Sequence, residues 1–360
     1  MSQPAKVLFL VPYPLRRAPS QRFRVENFLP VLDEAGLTYQ VRTFIDEATW
    51  QILYKQGSII RKASGIVKGF FKRLKTVLFE VPRYDYIFIH REAAPLGPPF
   101  FEWIIAKVWG KKIIYDFDDA IWIPNTSKAN SIADRVKCFW KVKYICKWSY
   151  KVAAGNTFLA KFAQQTAKNV VYVPTTVDML NSHNIVKQHK EDTTPVFGWT
   201  GSHSTLKYLK PLVPALEKLA LEMDFRFIVI ADKEPEFSIP NFVFIPWNAT
   251  TESSDLSQID IGVMPLQADS WSEGKCGFKL IQYMSIGIPA IASPVGVNKT
   301  IIEPGINGFL CETEEEWLAA MKKLANDFPL RKQMGVTGRN KMLSQFSIQS
   351  QSNTFLSLFS

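Results

Sequence analysis

At 360 residues, 47% hydrophobic and 21% charged, the chain is too long for a single core and too apolar for disorder, which leaves a globular protein of two domains. No uncharged apolar run reaches the ~18 residues of a membrane span, and four cysteines with no CxxC pair and no histidine at ligand spacing exclude a disulfide framework or a zinc site. The net charge of +10 is concentrated in residues 1–174, with 27 Lys and Arg against 13 Asp and Glu, while the remainder has 16 against 20; a basic half suits nucleic acid, anionic lipid or an acidic small substrate, and charge alone does not choose among them.

Met1 to Lys6 leads straight into an apolar, β-branched run ending at Pro12 rather than into a signal peptide, so a cytoplasmic protein is expected. Ser20 offers an N-cap to a helix running to about Ala35, with Gly36 as its stop. Strands follow at 39–44, 84–90 and 112–116, with a helix over 99–109, and this alternation predicts a parallel sheet. The polar stretch 181–194 lacks apolar periodicity and reads as a linker. A second cycle then begins, with strands at 196–200, 225–231, 259–264 and 290–293 and helices at 206–221, 279–286 and 314–326. The chain closes with a helix over 348–359, preceded by an aperiodic connection. The expected fold class is α/β with two Rossmann-like domains: 1–174, a linker region 175–194, and 195–344, the terminal helix of about 345–360 belonging with the first.

Several segments carry chemistry. The first strand-to-helix loop, 12–24, is rich in arginine; Ser20, Arg22 and Arg24 with Arg16 and Arg17 form an anion-attracting mouth suited to a phosphorylated or carboxylated acceptor, or are solvated surface residues. Two basic stretches, 59–79 and 135–151, interleave lysines with apolar and aromatic residues, as an interfacial helix on anionic membrane requires; packing on their own sheet is the plainer reading. No nucleic-acid motif accompanies the charge. Asp116-Phe117-Asp118-Asp119 follows a buried strand. In the second half, Gly201, Ser202 and Thr205 lie in a small-residue loop at a strand end, where backbone approaches a phosphate closely or simply caps the next helix. Lys275-Cys276-Gly277-Phe278 feeds a helix N-terminus, whose free N–H groups and dipole favour phosphate. Lys275 and Lys279 would neutralise a leaving diphosphate there, and Gln282, one turn on, could hydrogen-bond a ribose. The alternative is an ordinary αβ unit with surface lysines.

The run Gln282-Tyr283-Met284, Gly287, Pro289 and Ala290-Ile291-Ala292-Ser293, with a later Asn307-Gly308-Phe309-Leu310 turn, resembles the donor-binding signature of glycosyltransferase family 4, the group 1 glycosyl transferases. The resemblance covers the layout of nearly the whole chain, but its specific motifs lie between Gly198 and Leu310. It implies a GT-B fold, two Rossmann-like domains facing across a cleft with the last helix crossing back to the first domain. It also implies retaining, metal-independent sugar transfer from a nucleotide-sugar, with no cofactor. On this resemblance Gly296, in the turn after the 290–293 strand, joins the donor-binding set, and Asp118 stands where the family has a histidine, with Asp119 matching the acid beside it. Asp118, Lys275 and Lys279 are then the catalytic candidates, and Asp119 falls on the acceptor side.

Departures are equally plain. Gln282 replaces one family glutamate, Gly274 falls where the other belongs with Glu273 beside it, Ser202 replaces an arginine, and Pro19-Ser20 replaces a Gly-Gly loop. A catalytically silent nucleotide-sugar binder and a nucleotide-sugar epimerase therefore stay open. So does a cation site on Asp116 to Asp119, because glycosyltransferases of the GT-A fold hold Mg or Mn on an Asp-x-Asp. The basic, aromatic first half favours a lipid-linked or saccharide acceptor of the cell envelope.

Overall fold

The computed structural model describes residues 5–53, 55, 57–124, 136–191 and 193–360. It contains two compact units, Met1–Thr175 with Gln351–Ser360, and Thr176–Ser350. In the first, strands β1 (Lys6–Val11), β2 (Thr38–Thr43), β3 (Tyr86–His90), β4 (Lys112–Phe117), β5 (Lys151–Ala154) and β6 (Val170–Tyr172) form a parallel sheet in the order β2-β1-β3-β4-β5-β6. The apolar runs of β1, β3 and β4 are buried almost throughout, as strands covered on both faces must be. Chain direction across the sheet reverses between β1 and β3, which opens a crevice at their carboxyl ends.

The terminal residues complete this unit. Phe355 stacks on Phe28 with ring centroids 4.1 Å apart, and Lys151 Nζ donates to the Ser357 carbonyl at 2.6 Å. The last turns of the chain therefore return to the first domain's core.

The second unit repeats the architecture. Strands β7 (Val196–Gly201), β8 (Arg226–Ala231), β9 (Phe242–Pro246), β10 (Ile261–Met264), β11 (Ala290–Ala292) and β12 (Gly308–Leu310) are parallel in the order β12-β11-β10-β7-β8-β9. Phe197, Phe227, Leu216, Trp317 and Met321 build its core. Here the reversal falls between β10 and β7.

The expected helix from Ser20 is broken into Pro19–Arg24, a 3-10 turn at Glu26–Phe28, and Leu29–Glu34. Pro30 has no N–H to give Glu26, so the helix restarts with proline in its first turn. The N-cap is Ala18, not Ser20. Prolines 211 and 214 likewise divide the 206–221 helix into a 3-10 segment, His203–Leu212, and Val213–Ala220. The stretch before the terminal helix is itself a helix, Phe328–Lys341. Gly308, directly after Asn307, opens β12 alongside β11.

Candidate functional site

Each unit presents a polar cluster at the carboxyl ends of its strands, near the reversal. In the first unit it is built on the ends of β1, β3 and β4. Asp116, the fifth residue of β4, is buried; its carboxylate accepts from Arg24 Nε at 3.1 Å and meets His90 Nδ1 at 2.7 Å. His90 closes β3, is fully buried, and turns Nε2 to Ser20 Oγ at 3.0 Å. Arg91 follows in the left-handed region at φ 62°, a strained conformation for a residue other than glycine, held by its N–H donating to the Asp116 carbonyl at 2.7 Å. That bend aims its guanidinium at the next loop. Nη2 lies 2.8 Å from Asp118 Oδ1 and 2.6 Å from Asp119 Oδ2, and Nε lies 3.0 Å from Asp118 Oδ1.

Burial is the largest single influence on Asp118 and opposes its ionisation, but Arg91, His90, a hydrogen bond from the Ser20 hydroxyl and Arg24 outweigh it and hold the carboxyl well below the usual carboxylate range. Tyr13, lying among the same charges, has its phenol pushed up, chiefly by burial. Asp118 is thus a fixed anion with a partly solvated face, suited to hold a hydroxyl rather than to take up a proton at neutral pH.

The arginine mouth is smaller than the sequence predicts. Arg24 is 2% exposed, with its guanidinium committed to Asp116 and the Val173 carbonyl, so it faces the core rather than an acceptor. Ser20 faces His90. Arg22 is half-buried over the Phe23 ring, and Arg17 pairs with Glu47 at 2.7 Å. The Asp-x-Asp reading also loses its ligands: Asp116 is tied to Arg24 and His90, while Asp118 and Asp119 share Arg91. Among the described residues no group of three or more His, Cys, Asp or Glu could hold a metal ion. His90 and Arg91 were missed by sequence reasoning, although His-Arg-Glu at the end of a buried strand was the signal.

In the second unit, the loop after β7 is exposed at Ser202 to Ser204. Gly201 is required by packing: a Cβ there would fall 2.4 Å from the Trp199 ring. Thr205 caps locally, its hydroxyl bonded to the Ser202 N–H at 3.2 Å and carbonyl at 2.9 Å, while Ser202 Oγ meets Ser204 Oγ at 2.9 Å. Gly277, at φ 68°, is the N-cap of the helix Phe278–Ser285, and its left-handed backbone turns the chain into that helix. Gly296 sits so close to the Glu273 backbone that a Cβ would lie 2.9 Å from its carbonyl oxygen. The two lysines stand over aromatic faces, Lys279 Nζ 5.2 Å from the Trp199 ring centroid and Lys275 Nζ 5.5 Å from that of Tyr208. Phe278 is the half-buried first residue of the helix; Gln282 is buried, its amide nitrogen 3.5 Å from His183 Nε2.

Two buried polar atoms beside this turn have no hydrogen-bond partner, Ser272 Oγ and Asn298 Oδ1. An unsatisfied buried group costs about 1–3 kcal/mol, so the turn gains from a ligand or water that meets them. Neither was singled out from the sequence, because a lone serine and asparagine carry no motif.

Residues 194–327 match the model of the family described as glycosyl transferases group 1. N-acetyl-alpha-D-glucosaminyl L-malate synthase of Bacillus anthracis is 25% identical over 153 residues, which is 39% of this chain and 39% of that protein. The matched stretch thus spans about two fifths of the relative's length. Among solved structures, sucrose-phosphate synthase from Thermosynechococcus elongatus aligns over 99% of this chain and 98% of its own with TM-score 0.70 at 13% identity. Anabaena HepE in complex with UDP-glucose aligns over 98% and 99% with TM-score 0.68 at 15% identity. At these identities the likeness is one of fold, and the fold is GT-B, with two parallel six-stranded sheets flanked by helices.

Proposed function

We propose that the protein is a retaining, metal-independent glycosyltransferase, moving a sugar from a nucleotide-sugar to an acceptor hydroxyl in cell-envelope polysaccharide or glycolipid synthesis. The observation that carries this is the turn 272–279. Two lysines and the start of the helix Phe278–Ser285 meet there, beside unpartnered Ser272 and Asn298, inside the segment that matches the family model. Such a turn stabilises the charge that develops on a departing diphosphate, and no cation is needed where ammonium groups and a helix N-terminus supply the positive field. Lys275 and Lys279 take the diphosphate, and Asp118 holds a sugar or acceptor hydroxyl. HepE's complex with UDP-glucose makes a uridine nucleotide the first donor to try.

Thermal shift against UDP, GDP, ADP and CMP and their common sugars, with and without EDTA, tests the donor half. Stabilisation by one nucleoside diphosphate that survives EDTA and is lost in Lys279→Ala supports the reading. Binding that requires a divalent metal overturns it, and binding without transfer to any acceptor leaves a silent binder.

A membrane-side acceptor has its own support. The stripe through Phe70 and Val77 packs inward, Phe70 against Phe44 at 5.2 Å, yet Ile60 and Phe71 of the helix Ile59–Lys75 are 85% and 69% exposed among lysines. Trp140, Tyr144 and Trp148 form a ring ladder beside exposed Lys143 and Lys147. Phe100 and Trp103 are exposed on the helix Phe100–Trp103, which packs against the helix Lys141–Trp148. Arg135 lies outside the described residues. Aromatic and basic groups mixed in this way suit an anionic lipid surface, which would keep the protein at the inner face of the cytoplasmic membrane. Cosedimentation with phosphatidylglycerol vesicles, weakened by salt and by Phe71→Glu, checks it; no binding at low salt would refute it.

A further inference from the structure

The second unit carries a recess at the amino ends of its strands, which the donor chemistry does not use. Val196 and Arg226, the first residues of β7 and β8, and Asp260, just before β10, line it together with Lys187 and Lys190. Its volume of about 480 Å³ falls in the range of about 300–1,000 Å³ usual for small-molecule sites. From Val196 to Gly201, β7 rises about 17 Å, so the recess and the donor-side loop stand at opposite edges of one sheet.

The wall of the recess is fixed before anything binds. The Lys187 N–H donates to the Ile286 carbonyl at 2.7 Å, and His189 Nε2 donates to the Gly287 carbonyl at 2.9 Å. Asp260 is the one described acid in the lining, and both of its oxygens are occupied: Oδ1 by Lys187 Nζ at 2.9 Å, Oδ2 by the Val196 N–H at 3.0 Å. Lys190 and Arg226 are exposed, and among the described residues no carboxylate pairs with either. Behind the wall, Arg331 is 2% exposed; it donates to the Lys190 carbonyl at 3.2 Å, and its buried Nε has no partner. Three cations in the lining and a fourth behind it are thus set against one neutralised acid, with the hydroxyls of Thr193 and Thr194 and the amide of Gln258 alongside.

We propose that this recess is a second ligand site, for a small phosphate ester, with Arg226 and Lys190 taking the phosphate and the hydroxyl and amide groups taking the organic part. A concave surface with excess positive charge concentrates anions, and a guanidinium fork matches phosphate oxygens in pairs. The volume exceeds what a bare ion needs, since one water occupies about 30 Å³ of liquid. The site does not depend on sugar transfer or on the donor turn.

Equilibrium dialysis of the full chain against radiolabelled glucose 6-phosphate and glycerol 3-phosphate, with glucose as the uncharged control, tests it. At least one ester should bind the wild type and glucose should not. Affinity should be unchanged in Lys275→Ala with Lys279→Ala, which disables the donor turn. It should fall about 10- to 100-fold in Lys190→Ala with Arg226→Ala, as expected for lost charge-assisted contacts, with the melting temperature retained because both side chains are exposed. Failure of both esters to bind at about 10 mM, equal binding of glucose, loss of binding in the donor-turn variant, or full affinity in the recess variant would each overturn the proposal. So would a recess variant that loses only cosedimentation with phosphatidylglycerol vesicles, because the cations would then serve a lipid headgroup rather than a free ester. If nucleoside diphosphates fail to bind while a sugar phosphate does, the donor reading falls and this one stands.

Discussion

The polar clusters of the two units solve different problems with similar architecture. In the first unit, arginines, carboxylates and a histidine satisfy one another: Arg24 with Asp116, Asp116 with His90, His90 with Ser20, Arg91 with Asp118 and Asp119. In the second, Ser272 Oγ and Asn298 Oδ1 are buried and unpartnered, and the lysines stand over aromatic rings. A self-satisfied cluster is rigid before anything binds and contributes position, while one with unmet groups waits for a ligand to complete it. The difference teaches that loss of a charge should unfold or loosen the first unit, and should weaken binding in the second.

The largest effect tests the second unit. Removing both lysines, Lys275→Ala with Lys279→Ala, deletes two charge-assisted contacts to the leaving group at about 1.5–3 kcal/mol each, so kcat/KM for transfer should fall about 10²- to 10⁴-fold. The unfolding temperature without ligand should hardly move, since both side chains are partly exposed. A large drop in stability instead would mean that the lysines are structural and would erase the contrast. Next comes Asp116→Asn, which removes the carboxylate facing the Arg24 guanidinium, a group only 2% exposed. Chemical denaturation should show about 3–5 kcal/mol of lost stability.

Much of this contrast was invisible in the sequence, for reasons that differ between the clusters. Both parallel sheets were legible because runs such as Val7–Val11 and Phe227–Ala231 are apolar on both faces. Short or edge strands escaped: β6 has three residues, and β9 has no fully buried residue. Lys275, Gly277 and Lys279 could be singled out because their chemistry depends on local spacing around one turn. In the first cluster Ser20, Arg24 and Asp116 to Asp119 were singled out but their pairing was not, since Arg24 and Asp116 are 92 positions apart and His90 lies 26 from Asp116. Only packing shows that Arg24 turns inward while Arg22, two residues earlier, remains at the rim. A half-buried arginine and a fully buried one read identically in a list of residues.

The smallest effect is a matter of pH, and it sharpens the comparison from the acid side. Asp118 titrates lower in the folded protein than the ordinary carboxylate value of about 3.9. A depressed folded pKa means that the unfolded chain binds the proton first, so the stability Asp118 contributes is complete above the unfolded value and disappears as pH falls through the folded one. Between neutrality and about pH 5 that contribution should be flat. Asp118→Asn should then shift the melting temperature by the same amount at pH 7 and pH 5, and the two proteins should converge only in stronger acid. Loss of the difference already at pH 5 would show that Arg91, His90 and Ser20 do not hold the carboxylate as tightly as their geometry requires, and the first cluster would then resemble the second in waiting for a ligand.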